Sequence, residues 1–128
     1  MKRFIIGIGG LSFLMFSMVT FCAAQGNKTF SGEITDEHLN CVQTPMKVPD
    51  GIKQKDACVL YWAHFVNPPS KYVLYDAATK TTYQLDNQDR VQPYVGAKVL
   101  ITGTESNKTI RVADIKVDEN AYKSNARS

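Results

Sequence analysis

Residues 97–117 read AKVLITGTESNKTIRVADIKV, and the alternation in this stretch decides the fold class. Val99, Ile101 and Gly103 fall on one face, against Lys98, Leu100 and Thr102 on the other. That period of two belongs to a strand with one face buried. Glu105-Ser-Asn-Lys108 turns the chain, and Thr109–Val117 continues it as a second strand. Ile110 and Val112 share a face, after which Ile115 and Val117 are out of phase by one residue. One extra residue in a strand produces that shift, so a β-bulge is expected between Val112 and Ile115.

Upstream, Lys71–Tyr75 and Thr81–Leu85 are short β-type runs joined by Asp76–Lys80, the pattern of a hairpin. Asp86–Arg90 is a polar connection, and Val91–Gly96 reads as a turn with apolar contacts at Val91 and Tyr94. Further back, Thr29–Thr35 sets Phe30, Gly32 and Ile34 against Ser31 and Glu33. Gly32 on the inner face of that strand signals a bend or a close backbone approach. Between this strand and the hairpin lies the least regular part of the chain, with Pro45, Pro49, Asp50 and Gly51 marking turns. It also holds Asp56–Val66. Asp56 can cap a helix there, Pro68 and Pro69 would stop it, and Val59, Trp62, Ala63 and Val66 share a helical face. The run is also rich in β-branched and aromatic residues, so a strand is the alternative. The reading is a mainly β domain: a small five-stranded barrel with one short helix in the insertion between strands 1 and 2. Closure removes most of the edges that so small a sheet would otherwise expose. The domain is expected over residues 25–117, and residues 118–128 as a polar, disordered tail.

The N-terminus has another character. Met1-Lys2-Arg3 is followed by an apolar run from Phe4 to Phe21 and then Cys22-Ala23-Ala24-Gln25. A basic end, an apolar middle and a small-residue exit make a secretory signal, here residues 1–24, with cleavage after Ala24 and the neighbouring bonds as alternatives. Two rivals remain. The run is long enough to anchor the chain uncleaved, and Cys22 could carry lipid, although bulky Phe21 precedes it where a small residue is usual. Removing residues 1–24 takes Lys2 and Arg3 and lowers the formal charge from +3 to +1. A nearly neutral domain has no field to gather phosphate backbones or anionic lipid, so nucleic acid is excluded as the expected partner. Membrane contact is expected only through the signal segment. Of Cys22, Cys41 and Cys58, the last two stay with the domain, and in an oxidising compartment they are expected to pair. Such a loop closure is worth about 3 kcal/mol by the chain-entropy model.

The blocks Phe30-Ser-Gly-Glu-Ile-Thr-Asp36, Cys41, Asp56-Ala-Cys58, Lys71-Tyr-Val-Leu-Tyr-Asp76, Tyr83-Gln-Leu-Asp86, Tyr94-Val-Gly96, Val99-Leu-Ile-Thr-Gly103 and Thr109-Ile-Arg-Val112 follow one another in this order. Together they resemble a family of small exported bacterial domains of unknown function with an OB-like β-barrel. The likeness runs from Phe30 to about Val117. It implies an OB-like fold and export, and it supplies no activity. Members often carry a second cysteine four residues after the one matching Cys58, where this chain has Trp62. Any metal binding or disulfide exchange by that extra thiol is lost here.

Two constellations bear on chemistry. His38-x-x-Cys41 has a spacing found in zinc sites, and His38, Cys41, Cys58 and His64 would give two sulfurs and two nitrogens. Cys58 and His64, six residues apart, lie about 120° around a helix, which argues against a shared ion. The aromatic set Tyr61, Trp62, Phe65, Tyr72, Tyr75, Tyr83 and Tyr94 is the second. OB barrels stack ligands on exposed rings of one face, although most such rings are core packing. Trp62 and Tyr75 are the candidates for a binding groove. Asp36-Glu37 reads as a solvated turn. No nucleophile elbow, glycine-rich phosphate cradle or His-Glu-x-x-His occurs. Asn27-Lys-Thr29 and Asn107-Lys-Thr109 match the glycosylation acceptor pattern by chance. The expected protein is a secreted or periplasmic monomer, without cofactor or enzymatic activity, that binds a small ligand, a glycan or an envelope protein. The alternative is a metal-binding or thiol redox module using Cys41 and Cys58.

Overall fold

The structure is a computed structural model that describes residues 26–125. The signal segment read over residues 1–24, Cys22 included, lies outside the described residues. Five strands are present: β1 (Lys28–Asp36), β2 (Tyr72–Asp76), β3 (Thr81–Leu85), β4 (Lys98–Ser106) and β5 (Thr109–Val117). They form one mixed sheet in the order β1-β2-β3-β5-β4 that closes back on β1 as a ring. Every ladder is antiparallel except the short parallel pairing of β3 with β5, Gln84 opposite Thr109 and Leu85 opposite Ile110.

The alternation in β4 and β5 survives as burial. Val99, Ile101, Ile110, Val112 and Ile115 point into the core, while Val117 at the strand end is 42% exposed. The expected bulge is there. Thr102 faces Asp114 and Gly103 faces Val112, which leaves Ala113 as the extra residue. A Cβ on Gly103 would run into the Arg111 carbonyl oxygen, and one on Gly32 would lie 2.6 Å from the Tyr75 carbonyl oxygen. Bare backbone at both points lets the sheet curl tightly.

The insertion carries α1 (Lys55–His64), so the helical reading of this segment holds. Gln54, not Asp56, takes the N-cap position, and the Asp56 carboxylate accepts from the Ala57 N–H instead. Cys58 and Val59 join the core cluster with Ile34, Leu74, Val91 and Ile101, and Leu60, Trp62 and Ala63 pack against it. The start of α1 rests on Gly96, which has φ +77°; a Cβ there would lie 2.6 Å from the Asp56 nitrogen.

Three segments differ from expectation. Asp36 is fully buried, not solvated. Its carboxylate accepts N–H groups from Asn40 (backbone, 3.0 Å; side chain, 2.9 Å) and Cys41 (3.0 Å), with the Thr35 hydroxyl at 3.3 Å. Donors gathered by the following turn replace the water that the carboxylate loses. The polar connection after β3 contains α2 (Gln88–Val91), capped by the Asn87 side chain, whereas the turn expected over Val91–Gly96 is present as a 3-10 turn, Gln92–Tyr94. The expected disordered tail begins as α3 (Glu119–Asn125). There Asp118 accepts from the Ala121 N–H, and the Tyr122 hydroxyl accepts from the Lys98 N–H at 3.0 Å, which holds the turn against β4.

Candidate ligand-binding site

Cys41 and Cys58 form a disulfide with their Cα atoms 5.8 Å apart, and both residues are buried. The four residues of the metal alternative are therefore not assembled as a site. Both thiols are spent in the bond. His38 is exposed and 3.8 Å from Glu37, whereas His64 lies 3.2 Å from the Tyr72 hydroxyl. Among the described residues no group of three or more His, Cys, Asp or Glu side chains converges to hold a metal. The disulfide is placed by its flanks: Asp36 fixes the Cys41 backbone on one side, and the first turn of α1 presents Cys58 on the other.

Trp62 is tied into structure. Its indole N–H donates to the Lys47 carbonyl at 2.8 Å, and its ring meets Tyr61 edge-on at 5.7 Å. The indole bond pins the irregular loop to α1. The exposed ring nearby is Phe65, 78% exposed and stacked on Tyr61. Phe30 and Tyr83 meet edge-on at 5.2 Å and pack against the core, with the Lys108 ammonium 5.6 Å from the Tyr83 ring.

Tyr75 does border a groove. It is half-buried at the end of β2, opposite Glu33 of β1. Together with Ser31, Gly32, Lys98, the hairpin residues Asp76–Ala78 and the start of α3, it encloses about 220 Å³. Alternation brings these groups together: Ser31, Glu33, Tyr75 and Lys98 stand on the outer face of the sheet, opposite the inward Ile34, Leu74 and Val99. Glu33 is paired with Lys55 of α1 at 2.9 Å, and Asp76 holds the hairpin by accepting from the Ala78 N–H and the Thr79 hydroxyl. The groove thus combines one aromatic face, small side chains and charges of both signs. Of its residues, the sequence pattern singles out Tyr75. The outward polar positions of β1 and β4 are legible from the same alternation, but α3, which walls the groove, is not expected from the polar tail.

A second cleft of about 510 Å³ separates α1 from the α2 segment, lined by Asp56, Leu60, Asp89, Gln92, Pro93 and Val95. Asp89 of this cleft also acts on Tyr72, whose hydroxyl is raised above the ordinary phenol value by burial and, second, by the charge of Asp89. A phenol so placed stays protonated at neutral pH and serves as a donor or acceptor to His64. No protein-family model, curated protein or solved structure matches the chain.

Proposed function

We propose that this chain matures as an exported OB-like domain, without enzymatic activity, that binds a small ligand, glycan or protein segment in the cell envelope through the groove beside Tyr75. The OB-like reading is supported by the strand order β1-β2-β3-β5-β4, with its closing parallel contact and a long insertion after β1. Export is supported by the buried Cys41–Cys58 bond, which suits an oxidising compartment, and by the basic, apolar and small-residue pattern of residues 1–24. No helix among the described residues is long and apolar enough to cross a membrane. The observation that carries the binding reading is the groove, where one ring and several polar groups converge on a concave surface.

The test is a titration of the purified protein with a panel of soluble envelope glycans and peptides, followed by amide shifts. A ligand should move Ser31, Glu33, Tyr75 and Lys98 together. Tyr75→Ala should weaken its binding by about tenfold, roughly 1.4 kcal/mol, with little change in melting temperature. Shifts clustered elsewhere, or unchanged affinity in the variant, would remove this site. Turnover of any panel member would remove the non-enzymatic reading.

A further inference from the structure

We infer that the free edge of β1 beside Tyr75 captures an extended peptide strand with basic side chains. This rests on the ligand-binding reading of the groove and names its ligand class. Backbone direction carries the inference. Ile34 donates its N–H to the Ala97 carbonyl (3.1 Å) and accepts from the Gly96 N–H (2.7 Å), so its main-chain groups point toward β4. Main-chain groups alternate sides along a strand. Those of Phe30 and Gly32 therefore also point to β4, and those of Thr29, Ser31 and Glu33 point the other way, toward β2. Glu33 finds its partner there in Tyr75, and the ladder stops at that pair. In a continued register Ala77 would face Ser31, but Ala77 lies in the hairpin turn, and Asp76 is paired with Thr81 of β3. Among the described residues no backbone group pairs with Ser31 or Thr29 on this side, and both residues are exposed.

Unpaired N–H and C=O groups along a strand recognise another extended main chain, and the neighbouring side chains select its sequence. The slot suits a single strand rather than a second sheet. Asp76–Ala78 of the hairpin border it, and Asp118 and Ala121 border the adjoining groove from the β4 side, where the Asp118 N–H bonds the Lys98 carbonyl. A second copy of the chain would have to bring its own hairpin and helix into the same space. Charge chooses the sign. Lys55 answers Glu33, which leaves Asp76 and Asp118 against Lys98 around the groove, a surplus of negative charge that favours Lys or Arg on the incoming strand.

The probe is an array of nonapeptides alternating Lys with Val or Thr, a matched array with Glu in place of Lys, and versions N-methylated at every second residue. The Lys peptides should bind and the Glu peptides should not. The Thr29 and Ser31 amides, fast to exchange in the free protein, should slow at least tenfold on saturation. N-methylation at one parity of positions should abolish binding, while methylation at the other should not. Ser31→Pro, which deletes an N–H with no partner in the free protein, should weaken binding at least tenfold. Should that variant misfold, the methylated peptides probe the same main-chain contact on the unaltered protein. Peptide binding indifferent to methylation would overturn the inference, as would self-association through β1. A glycan that engages Tyr75 while no peptide binds would overturn it and leave the ligand-binding reading standing. Failure of every glycan and every peptide would sink both.

Discussion

Asp36 shows where residue-level reading stops. An Asp-Glu pair after a strand has the composition of a solvated turn, yet Asp36 is fully buried. The donors that make burial tolerable come from Asn40 and Cys41, four and five residues on, and only the folded turn reveals that they converge. Alternation puts Tyr75 on one face of β2 together with Val73, and that face does not declare itself, since Val73 is fully buried and Tyr75 half-buried. Trp62 is not legible because its indole partner, the Lys47 carbonyl, lies in a loop without pattern. Tyr72 supports a pH prediction. Burial, and then Asp89, raise its hydroxyl above the ordinary value of 10.0. The folded state therefore holds this proton to higher pH than the unfolded chain. The contribution to stability is whole below about pH 10 and is lost as pH climbs through the raised folded value. Urea midpoints measured from about pH 8 to about pH 11 should fall more steeply for the unaltered protein than for Tyr72→Phe. Parallel curves would contradict the burial of this hydroxyl.

At the scale of elements, strands with clean alternation are readable, and so is α1 between its bounding residues, but helices of one or two turns such as α2 and α3 are not. The phase break between Val112 and Ile115 locates the bulge because a two-residue period cannot absorb an extra residue silently. By contrast, α2 spans only Gln88–Val91, too short for any helical period to register, and its signal is the Asn87 cap alone. Gln88 then does what sequence pattern cannot disclose. Its side-chain amide accepts from the Tyr72 N–H at 2.7 Å and donates to the Tyr72 and Leu85 carbonyls, closing the sheet where β2 outruns its pairing with β3. The packing of α1 on the turn before β4 depends on Gly96. Gly96→Ala would strain a backbone at φ +77° and push a methyl group against the Asp56 nitrogen. A loss of about 2 kcal/mol or more is expected, read as a lower urea midpoint. A neutral result would mean that α1 does not seat on this turn.

For the molecule as a whole, the outline of a mainly β domain and the closing of its strands follow from the alternation and from the edges so small a sheet would expose, while α2 and α3 emerge only in the structure. A domain of about 100 residues buries only about two-thirds of its unfolded surface, so a covalent tie counts heavily. Cys58→Ser should cost about 2–4 kcal/mol and lower the melting temperature by several degrees; an unchanged melting curve would mean that the bond does not hold the insertion. That bond also links fold to place, since a disulfide such as Cys41–Cys58 suits an oxidising compartment. The direct measurement is the intact mass of the protein recovered from native cells and alkylated without reductant. A chain that begins at Gln25, lacks two hydrogens and takes up no alkylating agent is the predicted result. A species that retains Met1, with Cys41 and Cys58 both alkylated, would contradict it.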